Sequence, residues 1–141
     1  MISFYVHIPY CIKRCGYCDF NTYTPSELQD GATLEIVSGD YIDAVLKELE
    51  FAPTDVVPTI FFGGGTPSLI PPHDLGRVIT AIKARNGITD DCEITLEANP
   101  DSVTAEKLEG YIATGFNRIS FGMQSTCLLY TSDAADEEDS V

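Results

Sequence analysis

Three cysteines lie close together near the start of the chain, directly after an apolar segment typical of a strand. They are Cys11, Cys15 and Cys18. Thiolates are ligands for zinc and for iron–sulfur clusters, and three of them on one short loop can hold three corners of an iron–sulfur cube. No fourth cysteine is nearby, so one iron would lack a protein ligand. The spacing therefore predicts a cluster that binds a substrate rather than one that only carries electrons.

Zinc is the alternative metal for this loop. His7 together with the three cysteines would make a Cys3His set, which is a common structural zinc site. However, His7 lies within the predicted strand, and Pro9 stiffens the link to Cys11. Wrapping both residues around one tetrahedral ion would be awkward, so the pattern favours iron and sulfur.

A run of three glycines follows the second apolar segment, in the sequence Gly63-Gly64-Gly65-Thr66-Pro67. Glycines allow a ligand to approach main-chain groups that a Cβ would block. A phosphate loop is not indicated, because the Gly-Lys-Ser/Thr ending is missing. Taken alone, this turn is consistent either with a ligand site or with an ordinary connection between a strand and a helix.

A carboxylate ends the third predicted strand, at Glu97. At the carboxyl end of a barrel strand, such a group faces the mouth where barrel sites lie. Its oxygens can accept hydrogen bonds from a ligand bound at that mouth. The alternative is a strand end that only faces solvent.

Strand and helix patterns alternate along the chain, which predicts βαβ units and a parallel sheet. The predicted strands are 2–8, 57–62, 93–97 and 117–122, and the predicted helices are 40–51, 72–85 and 104–114. Thr104 should cap the last helix, and Gly115 should end it. Polar residues alternate with apolar ones in several strands, as Tyr5 and His7 do in the first. One face would then meet helices while the other faces a polar interior, which favours a barrel over an open sheet.

Composition limits the function classes. The chain has 141 residues and a formal net charge of −14, which argues against nucleic acid as a partner. No apolar run approaches the roughly 20 residues of a membrane span. The N-terminus does not look like a secretory signal, and five cysteines, three of them clustered, suit a reducing compartment. These features predict a cytoplasmic protein.

The loop that reads Pro9-Tyr-Cys-Ile-Lys-Arg-Cys-Gly-Tyr-Cys-Asp-Phe-Asn21 closely resembles the cluster loop of radical S-adenosylmethionine (SAM) proteins. The likeness is to the branch that contains oxygen-independent coproporphyrinogen III oxidases and heme chaperones. It implies that Cys11, Cys15 and Cys18 hold a [4Fe–4S] cluster whose fourth iron binds SAM. Electron transfer from the cluster would then cleave the sulfonium carbon–sulfur bond and yield a 5′-deoxyadenosyl radical.

The resemblance also implies roles for individual residues. Tyr5 and His7 would line the site, and Tyr17 would lie near the adenine. The methionyl ammonium would be bound by the turn, and the ribose by Glu97. The implied cofactor-binding residues are Tyr5, Tyr17, Gly64, Gly65, Thr66, Glu97 and Gln124.

The same resemblance implies an α/β fold, a (β/α) barrel of which this chain would hold about the first four strands, with crossover helices. The chain is therefore expected to be an N-terminal fragment. Residues 1–125 would belong to the barrel domain. Residues 126–141 hold five acidic residues and no basic one, and we expect them to be a non-native or disordered acidic tail. Such a fragment would expose sheet edges and apolar surface, which predicts an insoluble or oligomeric product.

Within the branch, the residue two positions after Cys18 separates the groups. Oxidases typically carry a further cysteine there, whereas this chain has Phe20. The resemblance therefore favours a heme chaperone that binds heme, forms a homodimer and delivers heme to a respiratory protein. The runner-up is an oxygen-independent coproporphyrinogen III oxidase. A non-catalytic iron–sulfur module, or a fragment without function, is the alternative of another class.

Overall fold

Four parallel strands alternate with three α-helices in the computed structural model, which describes residues 1–14, 16, 18–19, 21–24, 27–28 and 33–122. The elements in chain order are β1 (Phe4–Ile8), α1 (Leu34–Leu49), β2 (Val57–Gly64), α2 (Pro72–Asn86), β3 (Ile88–Ala98), α3 (Ala105–Thr114) and β4 (Arg118–Phe121). Two short 3-10 helices, Pro67–Leu69 and Pro100–Ser102, follow β2 and β3. The predicted alternation is confirmed.

The strands lie in the sheet in the order in which they occur in the chain, β1-β2-β3-β4. All three pairings are parallel, and Phe62 of β2 is opposite both Val6 of β1 and Leu96 of β3. The carboxyl ends of all four strands therefore meet at one edge of the sheet. That edge is where a (β/α) fold places its site residues.

One face of the sheet carries the hydrophobic core. Ile60, Phe62 and Leu96 are fully buried there. The rings of Phe62 and Phe116 meet edge to face with their centroids 5.1 Å apart. The helices cover this face with apolar side chains, among them Leu75, Val78, Ile79 and Ile82 of α2. Their spacing in the sequence is the helical period that places one stripe of side chains against the sheet.

Helix α1 starts earlier than the sequence pattern predicted. It begins at Leu34, whereas the predicted helix began at residue 40, and it ends at Leu49 rather than at residue 51. Gly39 interrupts the apolar period and has a low helix propensity, so the sequence pattern did not indicate the first turns of α1. Thr33 stabilises the true start, because its Oγ1 accepts a hydrogen bond from the Ile36 amide at 3.4 Å.

Strand β3 is also longer than predicted, since it starts at Ile88 rather than at residue 93. The polar run that follows Ile88 does not look like a strand in the sequence. The pairing of β2 with β3 is irregular there: Val57 is opposite Ile88, but Thr59 is opposite Glu93. Such an irregularity accommodates additional residues on one strand.

Both ends of α3 agree with the prediction. Thr104 Oγ1 accepts a hydrogen bond from the Lys107 amide at 3.2 Å. Gly115 ends the helix with a φ of 112°, in the left-handed region that glycine adopts without strain. Among the described residues, no helix is long and apolar enough to cross a membrane. The predicted tail, residues 126–141, lies outside the described residues.

Candidate functional site

Three segments meet at the carboxyl edge of the sheet. They are the loop that follows β1, the glycine turn at the end of β2, and the end of β3. The amide of Gly65 donates to the Ile8 carbonyl at 2.7 Å, and the amide of Thr66 donates to the Tyr10 carbonyl at 2.7 Å. The amide of Gly64 donates to Oε2 of Glu97 at 3.3 Å. The structure therefore brings the predicted turn residues together with Glu97 and with the start of the cysteine loop.

The glycine turn lies too close to its neighbours for any side chain. A Cβ on Gly65 would lie 2.5 Å from the Tyr10 carbonyl oxygen, and a Cβ on Gly64 would lie 2.5 Å from Nδ1 of His7. Gly64 also has a φ of 111°, which L residues rarely adopt. The glycines are thus needed because the turn lies so close to the loop that follows β1. As a result, main-chain groups of the turn lie at the candidate site.

Cys11 is buried at the start of its loop, and Cys18 is partly exposed. The hydroxyl of Thr66 donates to the Cys11 sulfur at an Oγ1–Sγ distance of 3.8 Å. Cys15 lies outside the described residues, as do Tyr17, Phe20 and Gln124. Within the described ranges, no group of three or more His, Cys, Asp and Glu side chains is placed to hold a metal ion.

The cysteine loop is closed by hydrogen bonds at its base. The Cys11 amide donates to the Tyr23 carbonyl at 3.0 Å, and the Tyr23 amide donates to the Pro9 carbonyl at 2.6 Å. Tyr10 and Tyr23 form an isolated parallel bridge. The segments before and after the loop are therefore joined to each other at its base.

An ion pair across this loop was not predicted from the sequence. Arg14 donates to Oε2 of Glu27 at 3.0 Å and also to the Thr22 carbonyl. The amide and hydroxyl of Thr24 donate to the same carboxylate, and these bonds, with the nearby Arg14 charge, lower the pKa of Glu27. The sequence did contain a signal for the bonds between Thr24 and Glu27, because Thr24-x-x-Glu27 has the spacing of a capping box.

Tyr5 and His7 occupy the polar face of β1, beneath the glycine turn. The hydroxyl of Tyr5 lies 3.4 Å from Nδ1 of His7, and Nε2 of His7 lies 3.2 Å from the Asn21 carbonyl oxygen. A carbonyl only accepts, so Nε2 carries a proton and Nδ1 accepts from Tyr5. Both ring nitrogens are therefore engaged by the protein, which disfavours His7 as a zinc ligand.

The environment of Tyr5 keeps its phenol protonated. Burial raises the pKa of Tyr5, and the negative charge of Glu97 raises it further. Its ring stacks on Phe61 with centroids 6.0 Å apart. Tyr5 is nevertheless 57% exposed, so its outer face is accessible to a ligand.

The described part of the site supplies two kinds of donor, a thiol and a carboxylate. Cys11 supplies a thiol beside a turn whose glycines carry no side chains, and the Glu97 carboxylate lies against the same turn. Thiolates hold iron–sulfur clusters, while a carboxylate accepts hydroxyl hydrogen bonds. The site therefore has one donor type suited to iron and another suited to hydroxyl groups.

A family model described as the Radical SAM superfamily matches residues 5–127. This chain belongs to the radical SAM superfamily. The matched range includes the cysteine loop, the glycine turn and Glu97. The predicted fold class is confirmed, because the four-stranded parallel sheet matches part of a radical SAM barrel in a solved structure.

That solved structure is described as coproporphyrinogen III oxidase (HemN) from Escherichia coli, a radical SAM enzyme. It matches with a TM-score of 0.75 and 29% identity, over 89% of this chain and 28% of that one. The heme chaperone HemW of Escherichia coli (strain K12) is 39% identical over 128 residues, which are 88% of this chain and 32% of that protein. The radical S-adenosyl methionine domain-containing protein 1, mitochondrial, of Mus musculus is 41% identical over 123 residues, or 87% of this chain and 27% of that protein. The chain thus spans about a third or less of the relatives it matches.

Proposed function

We propose that Cys11, Cys15 and Cys18 hold a [4Fe–4S] cluster and that the adjoining glycine turn and Glu97 bind S-adenosylmethionine. The observation that supports this proposal is the meeting of the two segments at one edge of the sheet. Thr66 contacts the Cys11 sulfur through its hydroxyl, while Gly64 contacts Glu97 through its amide. A ligand that extends from the cluster to Glu97 would pass along the turn.

The residues of the turn would bind and orient the methionyl end of the cosubstrate. Gly64, Gly65 and Thr66 have main-chain oxygens that can accept from an ammonium group. Glu97 would accept from the ribose hydroxyls. The Gly64 amide bonds to Oε2, which aligns the carboxylate and leaves Oε1 for the ligand, since a carboxylate has about four acceptor sites.

Three aromatic or amide side chains would complete this site. Tyr5 presents a protonated phenol beneath the turn. Tyr17, on the cysteine loop, would approach the adenine, and Gln124, which follows β4, would lie near a second ligand position. When bound, the cluster would supply the electron for reductive cleavage of a sulfonium carbon–sulfur bond. The role of the chain is to position that bond and to exclude water from it.

For the whole protein, we propose a heme chaperone that delivers heme to a respiratory protein in the cytoplasm and acts as a homodimer. Relatives named as heme chaperones, which are 38% to 40% identical to this chain, support this function. Phe20 in place of a cysteine supports it as well. Residues 1–125 would be the N-terminal part of the barrel domain, and residues 126–141 a tail without a role in it.

A second candidate is oxygen-independent coproporphyrinogen III oxidase. The TM-score of 0.75 with the Escherichia coli enzyme favours it. The two candidates differ in their products. An oxidase would convert coproporphyrinogen III by removing carboxyl groups from two propionates, whereas a chaperone would bind heme and leave coproporphyrinogen III unchanged.

The first test measures iron and the response of the cluster to the cosubstrate. The purified protein is reconstituted with iron and sulfide without oxygen, and its absorbance and electron paramagnetic resonance spectra are recorded. We expect a cluster whose spectrum changes when S-adenosylmethionine is added. Cys11→Ala, Cys15→Ala and Cys18→Ala should each abolish cluster assembly, because an iron corner loses its thiolate.

Cys92→Ala is the matched control. Cys92 is a buried thiol in β3, and burial raises its pKa, so it is poorly suited to act as a thiolate ligand. This variant should keep the cluster. A cluster that forms without the three cysteines would overturn the metal assignment. A spectrum that does not respond to S-adenosylmethionine would instead indicate the non-catalytic module.

A further inference from the structure

A group of polar residues packs behind the glycine turn, and nothing in the proposed function uses it. We call it the Ser68 cluster, and its members are Ser68, Asn99, Ser102, Lys107 and Tyr111. Ser68 belongs to the 3-10 helix that follows β2, Ser102 to the 3-10 helix that follows β3, and Lys107 and Tyr111 to α3. The cluster therefore joins the two segments that leave the candidate site.

Ser68 is fully buried at the centre of this cluster. Its Oγ accepts from the Asn99 amide at 3.2 Å and forms a hydrogen bond with the Ser102 hydroxyl. Its carbonyl accepts from Lys107 Nζ at 2.7 Å and from the Tyr111 hydroxyl at 3.0 Å. The hydroxyl of Ser68 is thus bonded to the segment after β3, and its carbonyl is bonded to α3.

Lys107 bridges the two segments by itself. Its ammonium donates to the Ser68 carbonyl at 2.7 Å and to the Ser102 carbonyl at 3.3 Å. Burial lowers the pKa of this ammonium. A partly buried charge costs free energy unless it is well hydrogen-bonded. An uncharged side chain at position 107 would stabilise the helix without this cost.

The cluster lies close in sequence to both binding elements of the site. Ser68 comes two residues after Thr66, and Asn99 comes two residues after Glu97. The only direct bond from the turn to Glu97 in the described residues is the one from the Gly64 amide, at 3.3 Å. The β2–β3 ladder joins the two strands as far as Phe62 and Leu96. The Ser68 cluster adds a connection beyond the ends of these strands, which would restrict movement of the turn relative to the carboxylate.

We propose that Lys107 is a positioning residue, which keeps the glycine turn and Glu97 at the separation that one S-adenosylmethionine molecule spans. This inference rests on the proposed function, because it requires that the turn binds the methionyl end and Glu97 the ribose. A ligand that contacts both elements depends on their separation. A ligand that contacts only one of them does not.

The experiment compares three probes on the purified, cluster-loaded protein. S-Adenosylmethionine spans both elements, 5′-deoxyadenosine reaches only the Glu97 end, and L-methionine reaches only the turn. The variant is Lys107→Met, which keeps most of the side chain and removes the ammonium. We expect the dissociation constant of S-adenosylmethionine to rise about tenfold, while those of the two half-ligands change less than about twofold.

Two variants serve as controls. Lys47→Met removes the same charge from an exposed lysine of α1, and it should leave all three dissociation constants unchanged. Lys107→Arg retains donors for the Ser68 and Ser102 carbonyls, and it should recover most of the affinity for S-adenosylmethionine. If Lys107→Met does not fold, Ser102→Ala loosens the same cluster, and it should produce the same selective loss.

The outcomes separate this inference from the proposed function. Equal weakening of all three probes, or no weakening of S-adenosylmethionine, would overturn the positioning role while leaving the proposed function intact. If the unsubstituted protein binds none of the probes, the proposed function fails, and the positioning role fails with it.

Discussion

The two faces of the sheet are made from alternate residues of the same strands, yet they have opposite characters. On the helix-covered face, Phe62 and Leu96 are fully buried in the core. On the other face, Tyr5 is 57% exposed, and His7 and Glu97 are only partly buried. Because side chains alternate along a strand, each strand contributes to both faces at once.

This difference shows that, within one strand, the residues that stabilise the core are not the residues that face the candidate site. The apolar face can stabilise the fold without contributing any polar group to the site. The polar face can keep His7 and Glu97 accessible because the core does not depend on them. A shift of one residue in register would exchange the two faces, so the core also determines which residues reach the site.

The strongest test of this comparison is a pair of phenylalanine variants at neighbouring positions. Phe62→Ala should lower the free energy of unfolding by about 3–5 kcal/mol, because it removes a fully buried ring from the core. Phe61→Ala, on the polar face, should cost much less, since that ring is only partly buried against Tyr5. Denaturant unfolding of both variants gives the comparison. Similar losses would show that the polar face stabilises the fold as much as the core does.

A second test places a methyl group at the site itself. Gly65→Ala should cost about 1–3 kcal/mol of stability, because the new Cβ would meet the Tyr10 carbonyl oxygen and the backbone must shift. It should also remove the spectral response to S-adenosylmethionine. Both quantities are measured on one preparation, by thermal unfolding and by absorbance.

Gly39→Ala is the control for this variant. Gly39 lies in α1, and a Cβ there meets nothing within 4 Å. The substitution should therefore stabilise the protein by about 0.5–1 kcal/mol, because alanine loses less backbone freedom in a helix. A spectral response that survives in Gly65→Ala would contradict the role of the turn.

A third test lies where the core meets the Ser68 cluster, and its expected loss of stability is smaller than that of Phe62→Ala. The hydroxyl of Tyr111 donates to the carbonyls of Ser68 and Ile70, at 3.0 Å and 2.7 Å. Tyr111→Phe should cost about 1–2 kcal/mol, because the Ile70 carbonyl loses this buried donor.

The same residue predicts a dependence on pH. Burial raises the pKa of Tyr111 above its ordinary value of 10.0, so the fold favours the neutral phenol. The associated stability is fully present below pH 10.0 and is lost as the pH rises above that value. Unfolding of both proteins at neutral pH and above pH 10 should therefore show the unsubstituted protein losing more stability than Tyr111→Phe. Parallel losses would argue against a buried hydroxyl.

Much of the fold could be predicted because its signals are local. The capping of α3 by Thr104 involves an amide three residues away, and Gly115 ends the same helix through its own φ. The true starts of α1 and β3 could not be predicted in this way. Thr33 lies ahead of a weak helical pattern, and Ile88 joins β3 through an irregular pairing with β2.

The sequence by itself determined the chemistry of the candidate site and the superfamily. The cysteine loop, the glycine turn and Glu97 are recognisable from residue types and short spacings. Only the tertiary structure decided how they meet. Thr66 contacts Cys11 from 55 residues away, and Lys107 contacts Ser68 from 39 residues away. The first contact follows from the pairing of β1 with β2, and the second from the position of α3 beside the segment that follows β2. A local pattern predicts the strands and helices but not these individual contacts, because it reports only on neighbours along the chain.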